Sequence, residues 1–370
     1  MIMKKFIIQY KLIGITLLFI GFSSMGQPFE KSREVTKSFS LSPDMEVQVS
    51  NKYGNIELIP WEKDSVRFEI SLKVIASKES KLNSTYDYID FDFKNSKHYV
   101  IANTSFAGKG SFWSDVKDLA NTVFTGGTKT QIDYIIYLPK DITIRIKNKY
   151  GDIYASDHDG SADIYLSNGH LKSHSFNGKT FLNLQFSSAN INYVKQGEFY
   201  LGYYSELQLD EADSLKIESR SSRLNIDKSN YLEINSSRDK YFLESVGEII
   251  ATNSFSYLEI KNLSKQIDVD ANYGDIILKN VDNSVKHIRI NGESTDINIY
   301  KEENQVFDLE VIYNERAGLF FSEKIKDKKT NKEDEEKKLV KTTGKLGDSS
   351  SKEIKVKAHI LSGKFRINNK

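Results

Sequence analysis

The sequence predicts an all-β fold: a single-stranded parallel β-helix, or β-solenoid, of about 17–18 residues per coil, with an antiparallel strand-rich N-terminal excursion and a short C-terminal strand cap. Three observations lead there. First, a small residue, a polar residue and then Ile or Leu recur as Gly151-Asp152-Ile153, Gly169-His170-Leu171, Ala189-Asn190-Ile191, Ser205-Glu206-Leu207, Ser222-Arg223-Leu224, Ser256-Tyr257-Leu258, Gly274-Asp275-Ile276 and Thr295-Asp296-Ile297. The steps are roughly 16 to 21 residues, with a degenerate copy near Tyr241 inside the long one, and such a period marks units that bury their apolar side only by stacking. Second, triplets such as Leu215-Lys216-Ile217, Leu232-Glu233-Ile234 and Ile288-Arg289-Ile290 fall half a period out of step with the first column. Their alternation is that of a strand with one buried face. Third, Asn51-Lys52-Tyr53-Gly54-Asn55-Ile56 returns as Asn148-Lys149-Tyr150-Gly151-Asp152-Ile153. The first copy is therefore expected to begin the stack, which an excursion interrupts. An antiparallel meander of short strands meets the same alternation and is the competing topology.

In chain order, residues 1–26 read as an export signal: Lys4, Lys5 and Lys11 precede the apolar run Leu12 to Phe22, and small Ser24 and Gly26 precede a cut before Gln27. An uncleaved anchor is the other reading, although the run is short for a bilayer. Residues 32–147 form the strand-rich N-terminal region and first coil with its insertion. There Val66, Phe68, Ile70, Leu72 and Val74 alternate as one strand, with further strands at Ile89–Phe93, Tyr99–Ala102 and Ile132–Leu138. A small antiparallel sheet of these would cover strand edges at the open end of the stack. Helices are expected at Ala76–Ser84 and from Trp113 to Val123, with loop tips at Gly108-Lys109-Gly110 and Gly126-Gly127. Residues 148–321 carry the solenoid repeats. Residues 322–353, dense in Lys, Glu and Asp, read as a charged flexible loop, and 354–370 as the strand cap, where Gly363-Lys364-Phe365 restores the repeating phrase.

Composition narrows the function classes. With 52 Lys plus Arg against 51 Asp plus Glu, the formal net charge of +1 offers no attraction for a phosphate backbone, and no nucleic-acid partner is expected. The absence of cysteine excludes disulfides, thiolate metal sites and a Cys-anchored lipoprotein. Only 4 Pro stand beside 20 Tyr and 21 Phe, a bias toward strands.

The signal, the paired Asn-Lys-Tyr-Gly phrases, the strand Val66 to Val74 after Trp61-Glu62-Lys63-Asp64, and the closing Ser362-Gly363-Lys364-Phe365-Arg366-Ile367 resemble the adhesin-like β-helix proteins exported by Gram-negative bacteria, of the auto-transporter adhesin head-domain type. The resemblance covers roughly Val35 to Asn368. It implies a cell-envelope location (periplasm, outer-membrane associated or cell surface) and an adhesive or scaffolding role, and it brings no catalytic set. A C-terminal translocator barrel, which needs many more alternating strands, is not expected within these residues.

Two groups of residues are candidates for function. Asp152, Asp157, Asp159 and Asp163 cluster in sequence with His158, His170 and His174. A sugar hydrolase needs two carboxylates at a set separation, but these residues equally suit a turn and exposed edges, and neither a catalytic residue, a metal nor a cofactor is assigned. Tyr150, Tyr204 and Tyr273 each precede the small residue of their coil, and Tyr203 and Tyr257 lie beside them. Facing outward they would form an aromatic face for a glycan or an envelope protein; otherwise they cover corners or pack inward. Ser188, Ser222 and Asn168 interrupt the row. The expectation is a non-enzymatic adhesin-like or scaffold module binding through its lateral surface. A carbohydrate-active β-helix enzyme and an envelope-stress accessory protein that binds another protein are the alternatives.

Overall fold

The computed structural model describes residues 28–106, 127–347 and 352–370. The expected signal at 1–26, the helix expected from Trp113 to Val123, Gly108 to Gly110 and Gly126 lie outside them. The described residues form 23 strands and one helix. The described residues divide into two compact units: a smaller one of 28–33, Leu72–Asp90, 105–106 and 127–131, and a larger one of Glu34–Ser71, Phe91–Thr104, 132–347 and 352–370.

In the larger unit, alternating apolar residues generate long strands that pair parallel and in register, each with the segment 17 or 18 residues on, or 21 on for Tyr257–Leu278. The strands His170–Gln185, Ser188–Gly202, Glu206–Arg220, Arg223–Ser237, Lys240–Ser254 and Tyr257–Leu278 form successive rungs. Leu171, Ala189, Leu207, Leu224, Tyr241 and Leu258 lie opposite one another in one column. Leu182, Phe199, Ile217, Ile234, Ala251, Val269, Ile290 and Ala358 make a second. Both columns are buried. Parallel pairing here rules out the antiparallel meander, and Asp239-Lys240-Tyr241 is the degenerate copy expected near Tyr241. Each fully buried aliphatic side chain contributes about 1.5–3 kcal/mol, and no disulfide supplements them.

At one end of this stack Glu46–Lys52 pairs parallel with Thr143–Lys149, placing Asn51 opposite Asn148 as the repeated phrase requires. On its other side Glu46–Ser50 pairs with Tyr99–Asn103, and Ile56–Pro60 with Tyr134–Leu138, again parallel. The small antiparallel sheet was expected among the excursion strands themselves; two of them, Tyr99–Asn103 and Tyr134–Leu138, instead continue the stack in parallel on one side. Alternation determines which face of a strand is buried but not the direction of its partner, so the sequence pattern could not decide between them.

The other end is assembled out of chain order. His287–Gly292 pairs parallel with Lys355–Ile360, and Thr295–Lys301 with Gly363–Asn369. Those C-terminal strands pair on their far side with Val306–Tyr313 and Gly318–Phe321. The chain thus leaves one rung open after Lys301, builds the next, and returns to fill the gap. The expected cap at 354–370 is a penultimate rung. The charged segment at 322–353 is not a plain loop either: Lys326–Asp334 and Leu339–Leu346 pair antiparallel, and Leu339–Leu346 also pairs antiparallel with Phe307–Asn314. Buried Leu339, Thr342 and Leu346 hold the inner strand, whereas the outer one is exposed and rich in Lys, a composition that discourages further edge pairing.

In the smaller unit the helix spans Glu79–Tyr88, three residues downstream of the expected start, with Leu82 and Thr85 buried. Lys31 Nζ lies 4.1 Å from the Tyr86 ring centroid and 3.7 Å from Asp87. Arg33 donates to the Ile89 carbonyl at 2.6 Å.

Candidate functional site

One corner of the rungs in the larger unit has an unusual backbone. Tyr53, Tyr150, Asn168, Phe186, Tyr203, Tyr204, Ser221, Arg238, Phe255, Tyr273 and Ser294 all have φ between 51° and 68°. Backbone bonds tie corner to corner, as Tyr150 N–H donates to Ser167 O at 3.0 Å, Asn168 N–H to Gln185 O at 3.1 Å and Phe255 N–H to Asn272 O at 2.8 Å. A small residue follows because space runs out: a Cβ on Gly151 would lie 1.9 Å from the Gly54 carbonyl oxygen. Where Ser or Thr follows, its hydroxyl donates to a carbonyl just upstream, as Ser187 to Gln185 O at 2.8 Å, Ser256 to Ser254 O at 2.9 Å and Thr295 to Glu293 O at 2.9 Å. Asp239 occupies the same slot, buried, accepting from the hydroxyls of Ser219 and Ser236 and the N–H groups of Ser222 and Ser237. Burial pushes its carboxyl above the usual range against the opposing effect of those bonds.

Aromatic rings fill most of these left-handed positions and point outward. Relative exposure is 42% at Tyr150, 53% at Phe186, 57% at Tyr203, 80% at Tyr204, 56% at Phe255 and 48% at Tyr273. Neighbouring rings stack: Tyr53 on Tyr150 at 5.5 Å and 6°, Phe186 on Tyr203 at 5.5 Å and 15°, Phe255 on Tyr273 at 4.8 Å and 4°. Lys149 and Arg238 approach the rings of Tyr150 and Phe255 at 5.1 and 5.5 Å. The left-handed conformation costs an L-residue roughly 1–2 kcal/mol, and an exposed ring recovers little by burial. Bulky residues here are thus a local concentration of strain.

Of the residues singled out from sequence, Tyr150, Tyr203, Tyr204 and Tyr273 belong to this corner. Tyr257 does not: it stands beside it, half-buried, donating to Glu259 at 2.6 Å, and burial followed by that carboxylate pushes its hydroxyl up to about 12. Phe186 and Phe255 were missed. Phe186 was hidden by a two-residue slip, because Ala189 pairs with Leu171 and Leu207 and the small corner residue of that rung is Ser187. A slip of two preserves polarity alternation and leaves no trace in the pattern. Phe255 directly precedes Ser256 and was legible once Phe was counted with Tyr. The corner interruptions are Asn168, Ser221, Arg238 and Ser294, rather than Ser188 and Ser222.

The acidic and histidine residues are distributed among separate contacts. Asp157 accepts from His174 Nδ1 and Ser175 Oγ, both at 2.5 Å, and these bonds hold its carboxyl below the usual range, Ser175 foremost. Asp159 meets Lys140 and Asn177, each at 2.8 Å, and is likewise lowered. Asp163 pairs with Arg145 at 2.9 Å, and His170 Nδ1 lies 2.8 Å from Ser188 Oγ. His158 is buried, and burial lowers its pKa. A shallow groove of about 610 Å³ lined by Glu57, Tyr154, Asp157, Lys172, His174 and Asn192 runs beside these groups. Among the described residues no group of three or more His, Asp or Glu is arranged to hold a metal ion, and no helix is long and apolar enough to cross a membrane.

No protein-family model and no curated protein matches the chain. Among solved structures, a candidate cell adhesion protein from Clostridium sporogenes is 10% identical over 92% of this chain and 100% of its own, with a TM-score of 0.18. A candidate adhesin from Parabacteroides distasonis is 11% identical over 73% of this chain and 93% of its own, with a TM-score of 0.31. A candidate lipid binding protein from the same organism is 10% identical over 94% and 98%, also with a TM-score of 0.31. Likeness at this level carries no functional argument.

Proposed function

We propose that the larger unit is a single-stranded β-solenoid acting as an exported, adhesin-like binding module of the cell envelope, non-enzymatic, engaging its partner through the aromatic corner on its lateral surface. One observation carries this reading: exposed Tyr and Phe occupy a row of left-handed positions where Gly or Asn would be less strained. Strain retained at the surface, in rings with an apolar body and in Tyr a polar tip, is what a contact surface for a glycan or an envelope protein calls for. The in-register steps of 17 or 18 residues support the solenoid reading.

Binding of the purified chain to an array of glycans and envelope polysaccharides, with product analysis of every bound sugar, tests the proposal. Binding without cleavage, lost when Tyr204 and Tyr273 become Ala, is the expected result. Cleavage would instead favour the carbohydrate-active alternative, for which the groove beside Asp157 and His174 is the place to look. Asp157 is ill suited to donate a proton there because its hydrogen bonds favour the ionised form.

A further inference from the structure

Resting on that reading, we infer that the corner at Asn168 is a discrete subsite for one acidic pyranose ring, a uronate unit of a glycan, inserted between the rings of Tyr150 and Phe186. Tyr150, Asn168 and Phe186 occupy the corners of three successive rungs. Adjacent parallel strands are about 4.8 Å apart, so two rungs separate the flanking rings by roughly 9–10 Å. A ring placed midway would lie about 4.8 Å from each, within the usual range of ring stacking. The protein itself stacks Phe255 on Tyr273 at 4.8 Å. The outer sides of the gap are already backed, Tyr150 by Tyr53 and Phe186 by Tyr203.

The floor and rim of the gap specify more than an aromatic-lined slot. Asn168 is exposed, and its side-chain amide makes no hydrogen bond among the described residues. It offers two donors and an acceptor to ring hydroxyls. Lys149 Nζ lies 5.1 Å from the Tyr150 centroid and forms no ion pair among the described residues, which leaves a cation at the rim for a carboxylate. A pyranose uronate matches each feature, with a C–H face for the rings, hydroxyls for the amide and a carboxylate for the ammonium. At the Ser221 and Arg238 corners two rungs intervene between Tyr204 and Phe255, which separates the flanking rings by roughly 14 Å, too far for one sugar ring to touch both, so no equivalent slot arises there.

The test is calorimetric titration of the full chain with hexagalacturonate, with cellohexaose as the neutral probe and adenosine monophosphate as the planar one. Hexagalacturonate is expected to bind more tightly than either. Asn168→Tyr fills the slot with a residue that neighbouring corners already accept and should abolish binding. Asn168→Gly keeps the left-handed backbone without the amide and should weaken it, which covers the case of a Tyr variant that fails to fold. Tyr150→Ala should weaken binding about 2- to 12-fold, and Lys149→Gln should remove the preference over cellohexaose. Unchanged affinity in both Asn168 variants, preference for cellohexaose or adenosine monophosphate, or no binding of hexagalacturonate overturns the subsite. The wider adhesive reading fails separately, when no ligand bound by the chain responds to the Tyr204 and Tyr273 substitutions.

Discussion

The rings of Phe255 and Tyr273 lie 4.8 Å apart and 4° from parallel, although each residue has a left-handed backbone, with φ of 54° and 56°. Their stacking contributes about 0.5–1.5 kcal/mol, against roughly 1–2 kcal/mol for each left-handed residue. The pair is therefore not justified by stability alone. Replacing both with Asn, which tolerates this backbone, should not lower the unfolding free energy in urea titrations, because relief of the left-handed strain offsets the lost stacking, while binding at the corner weakens. A loss of several kcal/mol would show the rings to be structural supports instead.

The C-terminal strand Glu353–Ile360 is hydrogen-bonded on both sides, to His287–Gly292 and to Val306–Tyr313. Lys357 points outward from it, so its side chain is expendable but its N–H is not. Lys357→Pro removes a ladder hydrogen bond from a central strand and should destabilise by about 1–3 kcal/mol. The same change at exposed Lys329, on the outer strand of the hairpin, should cost much less, because edge strands tolerate proline. Comparable denaturation midpoints for the two variants would contradict the inserted-rung topology.

His158 is buried, and burial depresses its pKa below the ordinary value of 6.5. The unfolded chain binds the proton more readily, so the stabilising contribution is complete above pH 6.5 and is lost as pH falls through the depressed folded value. His158→Gln should flatten the slope of stability against pH in that window. A variant with the wild-type slope would assign the acid sensitivity elsewhere.

Asp239 has the opposite sign. Its carboxyl pKa is raised by burial, so its contribution is complete below the ordinary carboxylate value and falls away as pH rises through the raised folded value. Asp239→Ser, which restores the residue found at Ser222 and Ser256, should remove that decline. Asp239→Ala leaves the N–H groups of Ser222 and Ser237 without an acceptor and should cost about 1–3 kcal/mol for each such group. Thermal unfolding across a pH series checks both variants.

The sequence by itself determined which face of each strand is buried, since alternation of Ile, Leu and Val with polar residues leaves one hydrophobic side, and the recurring phrase set the distance at which equivalent positions meet. The twin Asn-Lys-Tyr-Gly phrases likewise specified that Asn51 meets Asn148 across an excursion. Other features depend on long-range pairing, for which local alternation has no signature. The parallel direction of Tyr99–Asn103 against Glu46–Ser50 is one, and the filling of an open rung by the C-terminal strands is another. The aromatic corner lies between these cases. Its Tyr residues were visible in the chain, but only the register of the folded rungs aligned Phe186 and Phe255 with them, because a two-residue slip changes partners without changing polarity.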